Sequence, residues 1–144
     1  MRHYEASTLI AAPPERVWAV LTDTAAWPDW DSGVTAIDGQ PLLGAKLSIV
    51  NEVNPKRAFA VKIVELNAPE RMIFRSGIPL GLFTGQRAYT LAGENRGTRF
   101  TMREEYTGPL AALIFKSIPD LSASFRKFAE GLKQQSEQLA RPGA

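Results

Sequence analysis

No cysteine occurs among these 144 residues, and there is one histidine, His3. Without cysteine there is no disulfide framework, no thiol nucleophile and no thiolate-held zinc or iron–sulfur cluster. A single histidine beside the N-terminus excludes a multi-histidine metal site and is a poor foundation for a Ser-His-acid triad. Charge of one sign is scarce too: 17 basic residues against 15 acidic ones leave a net charge of +2. The cations are scattered, at Arg16, Lys46, Lys56, Lys62, Arg75, Arg103 and Lys133. Nucleic-acid binding needs a clustered basic surface that displaces counterions, so no nucleic-acid partner is expected. Phosphate loops, dinucleotide fingerprints and internal repeats are also missing. Asp23, Asp29 and Asp31 lack the spacing of a calcium loop and read as capping and solvating charges. No cofactor and no metal are expected.

Long apolar runs are absent as well. Pro109–Phe115 is far short of the roughly 20 residues that a membrane-spanning helix needs. Polar residues interrupt Met1–Ser7, unlike a secretory signal. The expectation is a soluble, cytoplasmic protein with no transmembrane segment. What the chain does have is 44% hydrophobic residues, enough for one domain spanning 1–144. A chain of this size buries roughly 70% of its unfolded surface.

Turn signals punctuate the middle at Asp38-Gly39, Asn54-Pro55, Asn67-Ala68-Pro69, Gly77–Gly81 and Gly93–Gly97. The runs between them are of strand length and rich in β-branched and aromatic residues. They predict strands near Tyr4–Ile10, Gly33–Ile37, Lys46–Val53, Ala58–Leu66, Arg71–Ser76, Thr84–Leu91 and Arg99–Tyr106. Six of the seven are consecutive, and an antiparallel meander connects them most economically. Pro13-Pro14-Glu15 followed by Val17, Trp18 and Leu21 predicts a short helix after the first strand, with proline in its first turn. Trp27 and Trp30 follow on a turn and are expected to cap the domain edge.

The strongest helical pattern is C-terminal. Leu121, Phe125, Phe128, Leu132 and Leu139 form one apolar stripe, with Arg126, Lys127, Lys133 and Glu137 off it. Ser117 is the expected N-cap, with Pro119 in the first turn and Asp120 at the capping-box position. The tail 141–144 is expected to fray. A meander with one apolar face must cover it, and this helix offers the long apolar stripe to do so. The expected fold is therefore α+β: a curved antiparallel sheet wrapped around a long C-terminal helix.

Three stretches of the chain carry a resemblance. Residues 10–23 (IAAPPERVWAVLTD) with Trp27 and Trp30, then Glu65–Arg71 (ELNAPER), and Gly97–Thr101 (GTRFT) resemble signatures of START-like polyketide cyclase/dehydrase (SRPBCC) proteins. The long amphipathic helix at the end does too. The resemblance covers almost the whole chain and implies a helix-grip fold: a seven-stranded sheet around a C-terminal helix, with a ligand cavity between them. Members include aromatic polyketide cyclases, lipid-transfer domains, hormone receptors, ubiquinone-binding proteins and chaperone activators. Fold alone does not choose among these functions.

Alternation along the strands nominates the inward polar residues. Arg87 is in phase with Tyr89 and Leu91, and Glu104 and Tyr106 are in phase with Phe100 and Met102. If Leu91 lies opposite Phe100, then Arg87 faces Glu104 on the inner surface. Such a pair can anchor a ligand or, as the candidate catalytic pair, stabilise an enolate. It can equally be a cross-strand salt bridge that holds register. The expected ligand-binding set is Phe59, Val61, Phe74, Arg87, Tyr89, Phe100, Met102, Glu104, Tyr106, Leu121, Phe125 and Phe128. The apolar connection Ser76–Thr84, with Ile78, Leu80, Leu82 and Phe83, is read as a lid, a plug or a partner surface. Binding of a small hydrophobic or amphipathic ligand is the leading functional expectation. A cofactor-free cyclase or dehydratase and a protein-interaction module are the alternatives, and a homodimer is compatible with each.

Overall fold

The computed structural model describes residues 2–140, with side chains through Gln138. The stripe position Leu139 and the tail 141–144 lie outside the described side chains. Seven strands form a single sheet: β1 (Arg2–Ile10), β2 (Val34–Asp38), β3 (Lys46–Asn51), β4 (Ala58–Asn67), β5 (Arg71–Ile78), β6 (Phe83–Glu94) and β7 (Gly97–Thr107). Their order is β1-β7-β6-β5-β4-β3-β2, with every pairing antiparallel. The last six strands form the expected meander, and β1 joins the edge of β7. The helices are α1 (Pro14–Thr22), a 3₁₀ turn at Thr24–Asp29, α2 (Ala111–Ser117) and α3 (Ser122–Ala140).

One face of the sheet is apolar because alternate residues of each strand are, and α3 covers it. Phe125, Phe128, Ala129 and Leu132 are buried in one core with Met72, Phe74, Tyr89, Leu91, Phe100 and Met102. Full burial of one large apolar side chain stabilises the fold by about 1.5–3 kcal/mol. Polar contacts hold the helix in place along its length. Lys133 donates to the Leu9 carbonyl (2.9 Å) and pairs with Glu137, whose carboxylate accepts the Ala11 N–H at 2.9 Å. Lys127 joins Glu52 (2.6 Å) and Asp31 (3.3 Å). Gly131 lets the helix lie against the preceding loop: a Cβ there would sit 2.3 Å from the Asp31 carbonyl oxygen.

Local physics explains the sequence motifs. A Cβ on Gly97 would come within 2.3 Å of the Ile10 carbonyl oxygen, so glycine permits the crossing of β7 and the end of β1. The neighbouring Thr98 hydroxyl donates to the Ala12 carbonyl at 2.8 Å, fully buried. Asn95 and Arg96, both at positive φ, make the two-residue turn that joins β6 to β7. That turn places Leu91 opposite Phe100, Tyr89 opposite Met102 and Arg87 opposite Glu104.

Three expectations change. Trp27 does not cap an edge: the 3₁₀ turn swings it under α3, where it is 1% exposed, its Nε1 donating to the Leu21 carbonyl at 3.0 Å. Ser117 does not cap the long helix. It closes α2 by donating to the Ile114 carbonyl, and α3 begins at Ser122, whose N–H is accepted by Asp120 Oδ1 at 2.8 Å. Pro119 is the cause, because the residue before a proline is driven out of the helical region and Ile118 is extended, at ψ 154. The 76–84 connection is shorter than expected. Ser76, Gly77 and Ile78 pair with Gly85, Thr84 and Phe83, leaving residues 79–82 as the turn.

Candidate binding site on the concave face

The sheet register lines up one row of inward side chains beneath the first turns of α3. Tyr4 on β1 pairs with Glu104 on β7, Glu104 with Arg87 on β6, Arg87 with Phe74 on β5, and Phe74 with Ile63 on β4. Within this row Arg87 Nε donates to Glu104 Oε2 at 2.6 Å, and the side chains retain 25% and 15% exposure. From above, Phe125 of α3 covers the guanidinium, with 4.8 Å from the guanidinium carbon to the ring centre. The next row inward holds Tyr89 and Met102, and the row outward holds Gly85 and Tyr106. A Cβ on Gly85 would meet Ser76 Oγ at 3.3 Å and the Tyr106 ring at 3.7 Å. No bulky side chain from either Ser76 or Gly85 therefore stands beside Arg87.

The hydroxyls of Tyr89 and Tyr106 are both buried against the ion pair, Tyr89 beside Arg87 and Tyr106 beside Glu104, in contacts whose geometry falls short of a full hydrogen bond. Burial is the main reason both phenols are pushed above the usual tyrosine range. The Glu104 carboxylate adds to the effect, and Arg87 opposes it. Both therefore stay protonated as donors. Burial works against the charge on Arg87 and is the largest single effect, yet the Glu104 carboxylate together with the Tyr89 and Tyr106 oxygens outweighs it and holds the guanidinium above its ordinary value. The arrangement is a neutralised ion pair flanked by two buried tyrosine hydroxyls.

A family model described as polyketide cyclase/dehydrase and lipid transport matches residues 1–137. The chain belongs to this family. Among curated proteins, it is 26% identical over 136 residues to an uncharacterized protein of Mycobacterium tuberculosis, covering 89% of this chain and 80% of that one. Among solved structures, TTHA0849 from Thermus thermophilus superposes with a TM-score of 0.72 at 21% identity, covering 97% and 100%. The di-domain ARO/CYC StfQ from the steffimycin biosynthetic pathway gives a TM-score of 0.64 at 11% identity, over 96% of this chain and 50% of that one. These structural likenesses establish the helix-grip fold for this polyketide cyclase/dehydrase family member.

The expected site residues distribute unevenly in this family member. Arg87, Glu104, Tyr89, Tyr106, Phe74 and Phe125 come together as described. Phe100, Phe128 and Met102 form a closed floor: Phe128 lies 4.9 Å from Trp27, 5.7 Å from Tyr89 and 6.2 Å from Phe100, ring centre to ring centre. Leu121 precedes the first turn of α3, half-buried against the core, and Val61 is placed likewise on β4. Phe59 stands apart, 42% exposed beneath the Arg57 guanidinium. The hairpin tip divides: Ile78, Leu80 and Leu82 are exposed, Leu80 at 94%, whereas Phe83 is buried and stacked 6.0 Å from Tyr106.

Two residues of the site escape a reading of the sequence. Tyr4 closes the far end of the polar row and stacks on Phe115 of α2 at 5.2 Å. Its phase with Ala6 on β1 was a usable signal, but only the pairing of β1 with β7 brings it beside Glu104. Phe115 lies 5.6 Å from Tyr106 and walls the same corner. Among the described residues no group of three or more histidine, aspartate or glutamate side chains is placed to hold a metal. Among the same residues, no helix is long and apolar enough to cross a membrane.

Proposed function

We propose that this protein binds a small hydrophobic or amphipathic molecule, its apolar body against Phe74, Phe125, Leu121 and Tyr106 and its polar end at Arg87–Glu104. The observation that carries this reading is an ion pair on the apolar concave face whose side chains keep 25% and 15% exposure beside the Phe125 ring. The description of the family as including lipid transport supports a carrier role. Arg87→Met and Glu104→Gln test the reading directly. Each should weaken retention of the ligand that copurifies with the native protein by about tenfold, consistent with loss of one charge-assisted contact. Unchanged retention in both variants removes the pair from the site.

The same partly exposed pair favours a second reading, a cofactor-free cyclase or dehydratase. There Glu104 takes a proton from the carbon beside a carbonyl, and Arg87 holds the enolate oxygen. The likeness to StfQ is consistent with this chemistry. Turnover of a poly-β-ketone that is lost in Glu104→Gln while binding persists would favour it over the carrier reading.

A further inference from the structure

One end of the sheet gathers exposed apolar side chains and unpaired cations. Lys62 on β4 lies opposite Arg75 on β5, so the β3–β4 loop and the β5–β6 hairpin tip share this end. The start of α2 is tied to it, because the Leu110 N–H donates to the Leu82 carbonyl at 3.0 Å. Among the described residues eight large apolar side chains are exposed, and six of them, Val53, Phe59, Ile78, Leu80, Leu82 and Leu113, stand here. Leu80 is 94% exposed at a φ of 68°, where glycine or asparagine would make the turn with less strain. The fold gains nothing from this leucine. Charge is sorted in the same way. Segments 53–59, 75–85 and 106–119 contain Lys56, Arg57, Arg75 and Lys116 and no aspartate or glutamate. Arg75 bonds to the Gln86 amide oxygen and Arg57 lies over Phe59, and among the described residues no carboxylate pairs with any of the four. A nucleic acid would answer the cations and leave the leucines in water. A second copy of the same end would cover the leucines but set like charges face to face. A bilayer with anionic head groups suits both, taking in the apolar side chains while the cations stay at its surface. We propose that this end of the protein docks on an anionic lipid surface, with Leu80 and Leu113 inserted. The proposal stands apart from the binding reading, since it concerns the exposed rim and not the Arg87–Glu104 pair.

Sedimentation of the full chain with lipid vesicles tests this. Phosphatidylcholine vesicles holding about one-third phosphatidylglycerol should bind about tenfold tighter than phosphatidylcholine alone, and high salt should weaken that binding. Leu80→Asn with Leu113→Gln changes only exposed side chains and suits the turn, and it should cost about tenfold or more in binding. Because the chain has no cysteine, Leu80→Cys and Asn95→Cys each accept a single polarity-sensitive dye. The first sits at the hairpin tip and the second at the β6–β7 turn of the opposite end. With the anionic vesicles the dye at the tip should shift to the blue, and the dye at the far turn should not. Absence of binding to the anionic vesicles overturns the proposal, and so does an equal response from the two dyes. Full binding by the leucine variant overturns it as well. Self-association that disappears in the leucine variant, without vesicle binding, would assign the patch to a second copy of the chain instead.

Discussion

At the scale of single residues, the Arg87–Glu104 pair is an electrostatic unit whose parts are not separately dispensable. Arg87→Met strands a carboxylate that is 15% exposed, whereas Arg87→Met with Glu104→Leu removes both charges. Breaking one side of a buried pair destabilises more than replacing both by apolar groups. The double variant should therefore melt higher than Arg87→Met alone in thermal denaturation, and the reverse order would show that Glu104 is well solvated. The tyrosines give a pH test. Tyr89 and Tyr106 are raised above the ordinary phenol range by burial. The folded state therefore holds their protons after the unfolded chain would release them. Their contribution to stability is full below about pH 10 and falls as pH rises past it. Ultraviolet titration should show Tyr89 and Tyr106 ionising late, together with the loss of fold. Three phenols titrating together in the ordinary range would contradict the burial argument.

At the scale of elements, α3 shows a contest between local propensity and packing. Glycine in a helix interior is worse than alanine by about 1 kcal/mol, so Gly131→Ala ought to stabilise an isolated helix. Here the added Cβ would lie 2.3 Å from the Asp31 carbonyl oxygen and 3.0 Å from the Trp30 ring. A backbone atom cannot give way as a flexible side chain can. Gly131→Ala should lower the midpoint in urea, and a raised midpoint would mean that the loop at Trp30–Asp31 shifts at little cost. The elements themselves were largely legible, because period-two alternation and turn residues are local signals. The sequence paired Arg87 with Glu104 only on the condition that Leu91 faces Phe100, and the two-residue turn at Asn95-Arg96 supplies that register. The break between α2 and α3 was misplaced because Ser117 and Asp120 both look like caps. Only the extended Ile118 before Pro119 decides between them.

For the whole molecule, the rows of inward side chains create a polarity gradient along the concave face. Trp27, Tyr89, Phe100 and Phe128 close one end ring to ring, while Arg87, Glu104 and Tyr106 occupy the other beneath the first turns of α3. Long-range closure decided what the sequence could not show. Tyr4 reaches Glu104 only because the first strand pairs with the last, and Trp27 is central only because the 3₁₀ turn folds under α3. Phe59 was in phase with the inner face yet lies half in solvent, since phase along a strand says nothing about where the covering helix stops. The central claim is that the open end holds a small hydrophobic molecule by its polar head. Native mass spectrometry of the protein purified from its own host tests this most directly. The account predicts one apolar small molecule per chain, released by organic solvent and depleted in Arg87→Met. A protein that flies at its bare sequence mass in every gentle preparation would contradict it.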